Sequence, residues 1–190
     1  MLDHLQLSGD AIEVRQRKRL LIVDKSTCVT PVVHVQSNLS RMPRLGSHQT
    51  DAIRNAVKAA AARSTSGWVQ LDFEALESQR PYYFGLVAAL RRDLPASIKL
   101  SVTILASWCE EKGLLDKLTA DEVVPMFFRM GMTAEDYQHR LQHTPERFDS
   151  RCRQQAAGFA IQEAPPAAVQ QRYARRYWFN FRNWDGFTGE

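Results

Sequence analysis

The sequence predicts an α/β protein, a TIM-like (β/α) barrel incomplete at its N-terminal side, with about six of the eight strands present. Three observations lead there. β-prone runs and amphipathic helical runs alternate at short spacing, the pattern of parallel βαβ units. The β-prone runs are not two-faced polar and apolar stripes, as a half-solvated antiparallel sheet would require. No glycine-rich phosphate turn of the form GxGxxG or GxxxxGK[S/T] occurs, which argues against an open nucleotide-binding sheet. A chain of 190 residues is expected to be one domain, here a polar segment over 1–18 and a barrel core over 19–184.

The elements follow in order. RLLIVDKS (19–26) and TPVVHVQSN (30–38) are rich in β-branched residues and read as strands. Residues 47–64 place Ile53, Ala56, Val57 and Ala60 at helical spacing, with Ser47 or Thr50 as the N-cap. GWVQLDFEA (67–75) is the next strand. In the helix over 79–95, Pro81 suits the first turn, Tyr83, Leu86, Val87, Leu90 and Leu94 form the buried face, and Pro95 stops it. IKLSVTILASW (98–108) is a strand, EEKGLLDKL (110–118) a short helix and EVVPMFFRMG (122–131) a strand. Thr133 and Asp136 make a box-like start for the helix TAEDYQHRLQ. AAGFAIQEA (156–164) and RYWFNFRNW (176–184) are the last strands, separated by the helical PAAVQQRYAR.

Composition narrows the function classes. The formal charge of +4 is concentrated in RQRKR (15–19) and RYARR (172–176), with acids scattered between. Neither zinc-finger spacing nor an aromatic-interleaved RNA signature accompanies it, so nucleic acid is not an expected partner. No apolar run approaches the roughly 18 residues of a membrane span. The first residues lack a signal-peptide pattern, which makes the protein cytoplasmic by default, or of the cell envelope if the chain is N-terminally truncated. Cys28, Cys109 and Cys152 form no CxxC knuckle and read as three reduced thiols. A Cys109–Cys152 pair is the alternative in an oxidising compartment. His139 and His143, four apart, lack a third ligand and read as a surface coincidence. His34 reads as a core histidine with its hydrogen bonds met. No metal or cofactor is expected.

The chemistry concentrates in GWVQLDFE. Strand alternation puts Gln70, Asp72 and Glu74 on one face. In a barrel they would line the lumen, with Glu74 at the rim, while Val69, Leu71 and Phe73 pack outward. Ser101 and Thr103 would add polar neighbours. Enclosure beside Asp72 would raise the Glu74 pKa and keep it protonated as an acid. Other polar or aromatic groups fall at strand ends: Trp108, Arg129, Glu163, Asn180, Arg182 and Trp184. Tryptophans there could stack on sugar rings, and Arg129 or Arg182 could pair with Asp72. Cys109 in SWC has no histidine beside it in sequence and reads as structural, not as a nucleophile.

The blocks LDFEALESQRPYYFGLVAALRRDLP, LSVTILASWC, DEVVPMFFRMG and YWFNFRNW resemble an uncharacterised bacterial domain-of-unknown-function family, over about residues 30–185. More distantly, GWVQLDFE is similar to the DxxDxDxE strand of chitinase-like glycoside hydrolases. That likeness implies a glycosidase-like barrel. Glu74 matches the acid and Asp72 the aspartate two before it; Gln70 and Gly67 stand where the other two aspartates would be. If VVHV is the third barrel strand, GWVQLDFE is the fourth and AAGFAIQEA the seventh. Barrel glycosidases of the retaining kind carry an acid/base glutamate after the fourth strand and a nucleophile after the seventh, which implies Glu74 and Glu163. The expected catalytic set is therefore Glu74, Asp72 and Glu163. The expected carbohydrate contacts are Gln70, Trp108, Arg129, Asn180, Arg182 and Trp184. The alternative is a non-catalytic barrel that binds a glycan or a protein, its open strand edges covered by a partner or a second copy.

Overall fold

The computed structural model describes residues 3–16 and 22–179. They fall into two compact units, 3–16 and 22–104 with 116–122, and 105–115 with 123–179.

In the first unit, β1 (Asp3–Ser8) and β2 (Ala11–Gln16) form an antiparallel hairpin. Its turn needs Gly9, whose φ of 55° lies in the left-handed region where a Cβ is strained. Parallel strands follow in the order β1, β3 (Val32–Ser37), β4 (Trp68–Phe73) and β5 (Lys99–Leu105). This overturns the barrel. A closing strand would need the outer edge of β1, and the antiparallel β2 already occupies it. The architecture is a mixed α/β sheet with one antiparallel pair and otherwise parallel ladders, not a closed (β/α) barrel. The segment read as a polar N-terminal stretch supplies both hairpin strands, with Leu5 and Leu7 buried and His4 and Gln6 half-buried between them. Residues 22–26, expected in a strand, are not in one, and 17–21 lie outside the described residues. Counted from β1, β4 is the third parallel strand, so the assignment of GWVQLDFE to a fourth barrel strand falls with the barrel.

The helices match their periodicity. α1 (Ser47–Ala61) buries Ile53, Val57 and Ala60 and packs on β1, β3 and β4. α2 (Arg80–Asp93) buries Tyr83, Leu86, Val87 and Leu90. Each fully buried aliphatic side chain contributes about 1.5–3 kcal/mol of transfer free energy. Arg54 of α1 forks onto Asp93 of α2, with Nε and Nη2 at 2.7 and 2.9 Å from the two carboxylate oxygens. The expected N-cap of α1 does not form. Gly46 holds that position, and Thr50 Oγ1 donates back to the Gly46 carbonyl.

In the second unit, β6 (Glu122–Met126, its first residue in the first unit), β7 (Ala156–Ala160) and β8 (Arg175–Phe179) are parallel in that order. Helices are short: α3 (Ala134–His143) and α4 (Ala167–Gln170). Thr133 does not box α3, because its hydroxyl donates to the Met130 carbonyl. The helix expected over 110–118 is replaced by 3-10 turns at Ala106–Glu110 and Leu115–Lys117, with Gly113 at φ 76° between them. Phe127, Phe148, Phe159 and Tyr173 pack as an aromatic cluster. Cys109 and Cys152 are joined as a disulfide, Cα atoms 5.9 Å apart, which replaces the expectation of three reduced thiols. Cys28 is free and exposed.

Candidate functional site

Parallel register turns one face of the first unit's sheet into transverse polar rows. Arg15 lies opposite His4, His4 opposite His34, and His34 opposite Asp72. The pairing of Leu71 with Val102 sets Thr103 beside Asp72. One row nearer the carboxyl end of the parallel strands come Glu13, Gln6 and Gln36. The Glu74 amide donates to the Val35 carbonyl at 3.1 Å, extending the ladder one residue past β4 and setting Glu74 beside Gln36. The opposite face carries Leu5, Leu7, Val33, Val35, Leu71 and Phe73, and receives the helices.

Asp72 is the best-anchored group. Thr103 Oγ1 donates to its Oδ1 at 2.8 Å, and His34 Nδ1 donates to its Oδ2 at 2.9 Å. A carboxylate only accepts, so the second bond places the proton on Nδ1 and turns Nε2 away from Asp72. Tyr83 of α2 donates its hydroxyl to the Thr103 carbonyl at 2.8 Å, tying the pair to the helical layer. Burial lowers the His34 pKa, but the Asp72 hydrogen bond and charge, with the charge of Glu74, outweigh it; the net value is held above the usual 6.5. His4, its ring centroid 4.9 Å from that of His34, is shifted down by burial and by the His34 and Arg15 charges.

The expected residues distribute unevenly. Gln70 is fully buried and donates to Ser101 Oγ at 3.1 Å, which donates to Glu122 Oε1 at 2.8 Å, so it braces the sheet. Asp72 is joined to His34 and Thr103. Glu74 is exposed; the enclosure expected for it is missing. Its loop is nonetheless defined, since Gln79 Oε1 accepts the Leu76 amide at 3.0 Å and Gln79 Nε2 donates to Ser37 at 3.1 Å. Gly67, aligned with the first aspartate of the chitinase-like pattern, has φ 75°. A side chain there is strained, which accounts physically for the glycine.

In the second unit, Glu163 is half-buried and accepts the Arg129 backbone amide at 2.8 Å. Arg129 itself is exposed, with φ 55°. Trp108 is 1% exposed, which leaves no ring face for a sugar. Asn180, Arg182 and Trp184 lie outside the described residues. Glu74 belongs to the first unit and Glu163 to the second. The rings of His139 and His143 sit 4.6 Å apart on α3, and among the described residues no group of three or more His, Cys, Asp and Glu could hold a metal ion.

The residue that sequence reasoning underrated is His34. Its signal was there: VVHVQS and VQLDFE align as parallel strands with His opposite Asp, but only a known pairing register makes that legible. His4 carried no signal, since its strand was not recognised.

Among the described residues, no helix is long and apolar enough to cross a membrane. No family model, curated protein or solved structure matches the chain.

Proposed function

We propose that the protein is glycoside-hydrolase-like, acting on a carbohydrate at the polar face of its first unit, with Glu74 as general acid/base and Asp72 as its positioning neighbour. One observation carries this reading: Asp72, held on both oxygens, lies two residues before an exposed glutamate at the carboxyl end of a parallel strand. Open α/β sheets bind ligands at that edge. Gln6, Gln36 and Glu74 stand side by side on the face, and amides and carboxylates are the groups that hydrogen-bond sugar hydroxyls. The resemblance to the D-x-E end of the chitinase-like strand supports the same roles.

A second reading, glycan binding without cleavage, is favoured by Glu163, whose carboxylate already serves the Arg129 turn. The test is a glycan array and a chromogenic-glycoside screen of the wild type beside Glu74→Gln, with folding checked by circular dichroism. Turnover by the wild type that falls about 10²–10⁴-fold in the folded variant is expected for a lost acid/base group. Glycan binding without turnover selects the second reading. A folded protein that neither binds nor cleaves glycans ends both.

A further inference from the structure

We propose that His34 is a second catalytic residue of this site, the general acid that protonates the leaving oxygen through Nε2 while the Glu74 carboxylate takes the proton of the attacking water. The inference rests on the carbohydrate reading and assigns the partner that the reading lacks within the first unit.

The geometry argues for it in three steps. His34 is a fixed donor: Nδ1 is committed to Asp72, Asp72 is committed to Thr103, and Thr103 is tied through its carbonyl to Tyr83. A histidine oriented in this way presents its second ring nitrogen in one direction, the arrangement that makes a carboxylate–imidazole pair useful in proton transfer. His34 and Glu74 are also spaced for it. Glu74 extends the β4 ladder beside Gln36, so it lies one strand across and two residues along from His34. One strand spacing of about 4.8 Å and two rises of about 3.3 Å place the two backbones roughly 8 Å apart. Two side chains that start roughly 8 Å apart on one face can hold their functional groups at the roughly 6.5–9.5 Å that an inverting pair needs for a water between them. Finally, the charges are ordered for these roles. The groups facing His34 are Asp72 and Glu74 from β4 and its loop and His4 from β1; Arg15 and Glu13 of β2 act on His4. After the opposing effect of burial, the two acids hold His34 towards the protonated, donating form.

The step balances. As the glycosidic C–O bond breaks, its oxygen takes the Nε2 proton. Water adds to the anomeric carbon, and its proton goes to Glu74. A hemiacetal of inverted configuration and an alcohol leave, and the Glu74 proton returns to His34 through solvent. No oxidant, reductant or metal takes part.

The experiment uses two glycosides of the same sugar, an aryl glycoside with a nitrophenolate leaving group and an alkyl glycoside with an alkoxide, on the wild type, His34→Gln and Glu74→Gln. His34→Gln should lose about 10²–10⁴-fold on the alkoxide substrate and far less on nitrophenolate, which needs no proton to depart. The wild type should lose alkoxide cleavage, but not nitrophenolate cleavage, as pH rises through the His34 pKa; this reads the role without any variant, should His34→Gln misfold. Proton NMR of the product should show inversion. If Glu74→Gln is inactive while His34→Gln cleaves both substrates at wild-type rates, or if the product retains configuration, His34 is not the acid and the carbohydrate reading still stands. If the wild type cleaves neither, and no other glycoside in the screen, the catalytic reading falls and this inference with it.

Discussion

The two units are stabilised by different means. The first has two long helices, of 15 and 14 residues, laid on one face of its sheet, and its other face is wired by side-chain hydrogen bonds running from Gln70 to Glu122 and from His34 to Thr103. The second has helices of 10 and 4 residues, a tight aromatic cluster and a disulfide that closes a 43-residue separation. Thin helical cover leaves less apolar surface to bury, and a covalent staple offsets the shortfall. The first unit therefore carries polar residues across one face of its sheet, and the second is held by its aromatic cluster and its disulfide.

The contrast can be broken at several points. Replacing Cys109 and Cys152 together by serine should have the largest effect, about 4 kcal/mol on the loop-entropy model. Chemical denaturation followed by hydrogen exchange should place that loss in the second unit; a uniform loss would contradict the division of labour. Asp72→Ala should cost about 1–3 kcal/mol, because it strands the buried Thr103 hydroxyl and the His34 ring, whereas Asp72→Asn keeps the shape and should cost less. The gentlest probe is pH. The His34 pKa is raised above its unfolded value of 6.5, so its contribution to stability is fully present below 6.5 and is lost as pH rises through the folded value. Thermal melts across pH 6 to 9 should show that decline in the wild type and not in Asp72→Asn, in a window set by the direction of the shift.

Much of the first unit was legible from period alone. Ile53, Val57 and Ala60, and Tyr83, Leu86, Val87 and Leu90, fall on helical faces that the structure buries. The alternation in GWVQLDFE put Gln70 and Asp72 on one face and Leu71 and Phe73 on the other, as the strand register does. β1 escaped because DHLQLS has only two apolar residues, and its stability comes from pairing with β2 and β3, which no local window contains. Missing that hairpin hid the antiparallel β2 at the edge of the sheet, the feature that excludes a closed barrel. The His34–Asp72 bond and the Cys109–Cys152 link were equally nonlocal; each joins residues some forty positions apart. Glu163 was visible as a strand-end acid, but its bond to the Arg129 amide depends on a left-handed turn that sequence does not announce.

Every row of the polar face is written in alternate letters of β1, β3 and β4, so the face behaves like a message with a reading frame. Losing one residue between Gly67 and Gln70 would move Leu71 and Phe73 to where Gln70 and Asp72 now lie, and would send the carboxylate into the helical layer. Substitutions on this strand change single words; an insertion or deletion of one residue would garble the whole line. The segment from Gly67 to Glu74 should therefore accept changes of residue far more readily than changes of length.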